Sequence, residues 1–131
     1  MKKTYNGLFC DKYETTNLGN KRDFIIYKNY YDYNNLRNSI KIHTIYDTSK
    51  IINIKAIIYS DNELYSEQLI RDELNNYFLN YNININVEKI KEAFFNRDSR
   101  RVNENNINYK VISVYKDGML DKFETIIDVV L

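Results

Sequence analysis

The chain has 131 residues, of which 44% are hydrophobic and 15% aromatic, and its formal net charge is +1. This length and composition allow a buried core, so one folded domain over residues 1–131 is expected rather than a disordered chain. A net charge near zero disfavours a protein whose affinity rests on general phosphate neutralisation. No apolar run reaches the roughly 18 residues that cross a bilayer, and the N-terminus lacks a signal-peptide core, which predicts a cytoplasmic protein without membrane contact.

Four segments in the first half of the chain carry the strand signals. Residues 23–31 are rich in β-branched and aromatic side chains and predict a strand, and a further strand is anticipated around residues 8–13. Residues 39–46 and 51–59 alternate between apolar and polar positions. The four turn-forming residues between these two segments predict an antiparallel hairpin.

Two helices are predicted in the middle of the chain. Ser60 and Glu63 form a capping-box pattern, which predicts a helix that begins at Ser60. The apolar stripe of this helix spans about five turns and consists of Ile70, Leu74, Tyr77, Phe78 and Tyr81. Residues 82–86 are interpreted as a connector or short strand. Asn86 can then cap a second helix, whose buried face is Val87, Ile90 and Phe94.

Residues 107–131 predict two strands that turn near Gly118. A two-residue Asp-Gly loop would mix apolar and charged residues on both faces of this hairpin. A three-residue loop, with Gly118 as a bulge residue, separates the two classes and places Val111 opposite Phe123, so this register is predicted. The element order β-β-β-α-α-β-β lacks the strict alternation of a parallel sheet. The predicted fold is α+β, with an antiparallel sheet of about five strands and two helices on one face.

The sequence contains no motif that fixes the geometry of an active site. His43 is the single histidine and Cys10 the single cysteine, and neither lies in a motif for nucleophilic catalysis or metal binding. No catalytic residue, metal or cofactor is therefore assigned. An enzyme whose carboxylates converge only in the folded chain is a third alternative, and a non-enzymatic protein is favoured.

Three candidate contact surfaces follow from residue type. The segment 27–35 combines aromatic area with adaptable amides, as recognition loops and base-stacking surfaces do, and its candidate residues are Tyr27, Tyr30, Tyr31 and Tyr33. A cluster that presents planar donors to phosphate or carboxylate consists of Arg97, Arg100 and Arg101. A secondary acidic surface on the first helix, suited to a basic protein groove, consists of Glu63, Glu67 and Asp72.

These surfaces favour an intracellular protein that acts by stoichiometric contact with a protein partner. Abundant asparagine, isoleucine and tyrosine, with 20, 18 and 13 copies, indicate an AT-rich genome. A small chain of this kind is compatible with a phage or viral origin, so an inhibitor of a host defence system, such as a CRISPR effector, is the specific hypothesis. The alternative is a nucleic-acid or nucleotide-binding module that uses the basic N-terminal sheet, the tyrosines and residues 97–101.

Overall fold

A computed structural model describes the backbone of residues 3–5, 8–10, 12–32 and 35–131, and the side chains of residues 13–27 and 39–131. The strands are β1 (Lys3–Tyr5), β2 (Leu8–Cys10), β3 (Lys12–Leu18), β4 (Lys21–Asp32), β5 (Asn35–Asp47), β6 (Lys50–Ser60), β7 (Val102–Glu104), β8 (Ile107–Lys116) and β9 (Met119–Val130). The first helix, α1, runs through Glu63–Leu69, a π-helical segment Ile70–Leu74 and Asn75–Leu79. The second helix, α2, is Val87–Phe95.

Within the described part of the chain, seven strands form one antiparallel sheet in the order β3-β4-β5-β6-β9-β8-β7, and β1 pairs with β2 separately. The α+β class, the antiparallel sheet and the two helices are therefore confirmed. The sheet has more strands than the predicted number of about five, and the predicted element order therefore omits some of them. The strand anticipated around residues 8–13 is present as β2 and the start of β3, whereas β7 was missed because three residues are too few for an alternating pattern.

The hairpin of β5 and β6 forms as its alternation predicts. Asp47 pairs with Lys50 across the turn, and Ile42 pairs with Ala56 in the middle of the hairpin. Ile40 and Ile58 are buried on the same face as this pair. The period of two residues thus directs one aliphatic row into the core.

Helix α1 begins two residues later than the capping box predicted. The Asn62 side-chain oxygen accepts a 2.7 Å hydrogen bond from the Tyr65 amide and caps the helix. Ser60 still pairs with Phe123 in the sheet, and its buried hydroxyl bonds to the hydroxyl of Ser66. Because β6 continues through Ser60, the residue serves the strand rather than the helix end.

Helix α2 begins where it was predicted. The Asn86 side-chain oxygen accepts a 3.0 Å hydrogen bond from the Glu88 amide, as expected of an N-cap. Ile90 and Phe94 are buried as predicted, while Val87 is half-buried. The segment before the cap is an irregular connector rather than a strand.

Both helices pack on the same face of the sheet and share one hydrophobic core with it. The predicted stripe of α1 from Ile70 to Phe78 is buried in this core. Two buried tyrosine hydroxyls connect the layers. The Tyr77 hydroxyl lies 2.7 Å from the Thr44 hydroxyl of β5, and the Tyr109 hydroxyl accepts a 3.1 Å hydrogen bond from the Asn86 amide.

The register predicted for the β8–β9 hairpin is wrong. Asp117 and Gly118, with φ angles of 53° and 79°, form a two-residue turn of type I′. A register shift after Tyr115 leaves Asp121 as the extra residue, and Val111 then pairs with Thr125 instead of Phe123. The offset from the predicted register is two residues, which is the period of a strand, so the division between buried and outward faces is nevertheless as expected.

Candidate functional site

The face of the sheet opposite the helices is the first candidate surface. Residues that alternate with the buried rows point to this open face. One row crosses five adjacent strands through successive register partners, namely Tyr27, Lys41, Ile57, Ile126 and Lys110. It spans about 19 Å at the usual strand spacing. Because the row mixes aromatic, aliphatic and cationic side chains, it suits contact with a macromolecule.

Tyr27 is held firmly on the open face. Its hydroxyl donates a 2.8 Å hydrogen bond to Glu14, and the Lys41 ammonium lies 5.4 Å from its ring centroid. Burial, the hydrogen bond to Glu14 and the charge of that carboxylate raise the pKa of Tyr27. The side chain is therefore a neutral hydrogen-bond donor at physiological pH.

A second tyrosine and lysine pair lies on the same face. The Lys122 ammonium lies 4.6 Å from the centroid of the Tyr59 ring, which is half-buried. Burial and the neighbouring Glu124 carboxylate raise the pKa of Tyr59. The two pairs interleave charge and aromatic area across the face, a composition closer to a polar protein interface than to a purely cationic nucleic-acid groove.

His43 also belongs to the open face, with Lys41 two residues before it. Its Nδ1 atom lies 2.9 Å from a carboxylate oxygen of Asp23, and both side chains are mostly buried. A carboxylate that orients an imidazole is one part of a catalytic triad. Among the residues with described side chains, no hydroxyl bonds to His43, and no cluster of three His, Cys, Asp or Glu could hold a metal.

A cationic pocket opens at the β7 end of this face. It has a volume of about 190 Å³ and is lined by Lys55, Arg101, Asn108, Lys110, Ile126 and Asp128. The Asp128 carboxylate accepts a 2.7 Å hydrogen bond from Asn53. Within the described side chains, none of the three cations of the pocket forms an ion pair or hydrogen bond.

The predicted arginine cluster is divided between the two faces of the sheet. Arg97 donates a 3.0 Å hydrogen bond to the Phe94 carbonyl, and its guanidinium lies 5.8 Å from the Phe123 ring on the helix side. Arg101 lines the pocket on the open face. Arg100 is exposed in the loop between them.

Asp98 fastens this loop to the edge of β8. Its carboxylate accepts a 2.7 Å hydrogen bond from the Ser113 amide, and its own amide donates to the Val111 carbonyl at 3.0 Å. The hydrogen bonds with Ser113 lower the pKa of Asp98. Asp98 thus fixes the segment that leads to Arg101.

The remaining predicted contact residues are placed as follows. The backbone of Tyr30 and Tyr31 belongs to β4, but their side chains and all of Tyr33 lie outside the described residues. Glu63 and Asp72 are exposed on α1.

Glu67 does not belong to an exposed acidic surface, because it is only 6% exposed. It precedes Ile70 by three residues and Leu74 by seven, so it shares the buried stripe of α1.

The tip of the β8–β9 hairpin exposes three large apolar side chains, of which Tyr115 and Leu120 lie on one face of the hairpin and Met119 on the other. Tyr115, Met119 and Leu120 are 65%, 75% and 51% exposed. Lys116 and Met119 close the type I′ turn, and Tyr115 pairs with Leu120 in the next position. The signal was present in the sequence, since large apolar residues on both sides of Asp-Gly are unusual at a solvent-facing turn.

No family model, curated protein or solved structure matches the chain. No helix in the described part of the chain is both long and apolar enough to span a bilayer.

Proposed function

We propose that this chain is a non-enzymatic binding protein that inserts the β8–β9 hairpin tip into an apolar cleft of a protein partner. The observation that carries the proposal is the exposure of Tyr115, Met119 and Leu120. Large apolar side chains exposed together at one end of a hairpin are characteristic of protein interaction sites. Met and Tyr are also among the residues enriched in interfaces.

The shape of the hairpin supports insertion. The two-residue turn places the three side chains on two directly paired strands, so the backbone of the tip is already ordered before a partner closes around it. Full burial of an apolar side chain of this size is worth about 1.5–3 kcal/mol. Lys116 and Asp117 flank these side chains and supply the polar rim that specific interfaces have.

Inhibition of a host defence protein is the specific form of this proposal suggested by the composition of the chain. A projecting apolar tip suits a stoichiometric inhibitor, because such a protein needs only to occupy a cleft and requires no chemistry of its own. The partner in this case is an enzyme or an assembly with a cleft about one hairpin wide.

A capture experiment with matched variants tests the role of the tip. Tagged wild-type protein, the double variant Met119→Ser/Leu120→Ser, and the control Leu64→Ser are incubated with nuclease-treated lysate of the native host. Leu64 is 73% exposed and belongs to α1 rather than to the hairpin. Circular dichroism and thermal unfolding establish that all three proteins are equally folded.

We expect quantitative mass spectrometry to identify one host protein that wild type and Leu64→Ser capture in equal amounts. The hairpin variant should retain at least tenfold less of it, since two interface anchors of about 1.5 kcal/mol each are removed. Equal retention by the hairpin variant and wild type would refute the role of the tip.

Binding of nucleic acid or nucleotides is the second candidate, and the cationic pocket is the observation that favours it. A protein that contacts several phosphates of a single-stranded oligonucleotide loses affinity steeply as salt rises. Oligonucleotide binding measured between 50 and 200 mM salt distinguishes this candidate, because a protein-binding tip requires no oligonucleotide affinity.

A further inference from the structure

We propose that the pocket lined by Lys55, Arg101 and Lys110 binds the dianionic phosphate group of a small phosphorylated ligand. This inference is independent of the protein-binding tip. The tip begins five residues beyond Lys110 along β8, which is about 17 Å at the usual rise per residue.

The charge of the pocket selects the ligand class. Three cationic side chains and one carboxylate line the pocket, which leaves two positive charges in excess. A phosphomonoester carries about −1.5 to −2 charges near pH 7 and offers three acceptor oxygens. A carboxylate or a phosphodiester carries about one negative charge and would leave part of this excess unbalanced.

The donors around the pocket fit the same group. Arg101 presents a planar fork of N–H donors that matches two phosphate oxygens. The side-chain amide of Asn108 adds neutral donors, and the two lysines add point charges. Ile126 forms an apolar part of the lining, so the pocket receives one terminal group rather than a continuous phosphate chain.

The pocket is built on rigid elements. Lys55 and Asn108 both lie opposite Asp128 on the strands that flank β9, and Lys110 lies opposite Ile126. Arg101 directly precedes β7, whose Val102 pairs with Tyr109. Because the paired strands set the backbone positions of Lys55 and Lys110, a ligand has to order side chains but no backbone segment of these strands.

Titration with inorganic phosphate at constant ionic strength tests the proposal. Binding to wild type, Arg101→Gln and Lys110→Gln is followed by the amide NMR shifts of β8 and β9. The control is Lys116→Gln, which removes an exposed lysine from the same strand outside the pocket. Parallel titrations use adenosine monophosphate and a single-stranded oligonucleotide without a terminal phosphate. Arg101 and Lys110 are both exposed, so the variants should fold as wild type does.

The expected result is saturable binding of phosphate and of the nucleotide by wild type and Lys116→Gln. Both pocket variants should bind at least tenfold more weakly, because each loses a charge-assisted hydrogen bond. Unsaturable shifts up to about 10 mM phosphate, or equal weakening in Lys116→Gln, would overturn the proposal, since either indicates general screening. Binding of the oligonucleotide alone would also overturn it and favour a nucleic-acid partner.

Discussion

The buried hydrogen bond between Tyr77 and Thr44 offers a quantitative test of how α1 is fixed on the sheet. Both side chains are fully buried, and their hydroxyl oxygens lie 2.7 Å apart. Removing one hydroxyl leaves the other without this partner in the core, which costs about 1–3 kcal/mol. Tyr77→Phe and Thr44→Val are therefore each expected to lower the free energy of unfolding by that amount.

The double variant separates this hydrogen bond from other effects of the two substitutions. Once both hydroxyls are absent, no buried polar group is left without this partner, so the total loss should be smaller than the sum of the single losses. The expected coupling free energy is about 1–2 kcal/mol. This is a substantial part of the roughly 5–15 kcal/mol that stabilises a typical domain.

Urea unfolding followed by circular dichroism at pH 7 measures all four proteins, with free energies from linear extrapolation. Tyr115→Phe is the control, because this tyrosine lies at the exposed hairpin tip and its stability change should stay within about 0.5 kcal/mol. If the two single losses add to within about 0.5 kcal/mol in the double variant, the hydrogen bond does not couple helix to sheet and the reasoning fails.

Three further predictions concern the cap of α1, the loop that contains Asp98, and the alternative that the protein is an enzyme. Asn62→Ala should lower the free energy of unfolding by about 1 kcal/mol in urea, because the α1 cap is lost. The hydrogen bonds with Ser113 lower the pKa of Asp98. Wild type should therefore lose stability relative to Asp98→Asn as the pH falls below about 4. A stability difference between the two proteins that does not change with pH contradicts this prediction. His43→Gln and Cys10→Ser should leave activity in a functional assay intact, and loss of activity at unchanged melting temperature would favour an enzyme.

The local elements were predictable because each depends on residues that are close in the chain. The β5–β6 hairpin follows from alternation around four turn formers, and α2 follows from an Asn cap and an apolar stripe. The β8–β9 register was not predictable from face separation alone. A bulge at Asp121 restores that separation after a tight turn, so two different loops satisfy the same pattern.

The pocket was less predictable than the elements that form it. Lys55 and Lys110 come together because β6 and β8 both flank β9, and β6 is far from the β8–β9 hairpin in the sequence. Alternation shows which residues of a strand point outward, but it does not show which strands become neighbours. Long-range pairing thus determines the pocket, and no local signal in the chain reports it.

The division of the arginines shows how the sheet limits what one ligand can contact. Arg97 and Arg101 are four residues apart, yet one contacts Phe123 on the helix side and the other lines the pocket on the open face. The hydrogen bond of Asp98 to the Ser113 amide ties the intervening loop to β8 and so sets the backbone positions from which the two side chains leave. A single small anion therefore uses Arg101 without Arg97. A partner that depends on both arginines has to reach around the β7 edge of the sheet, which requires a macromolecule.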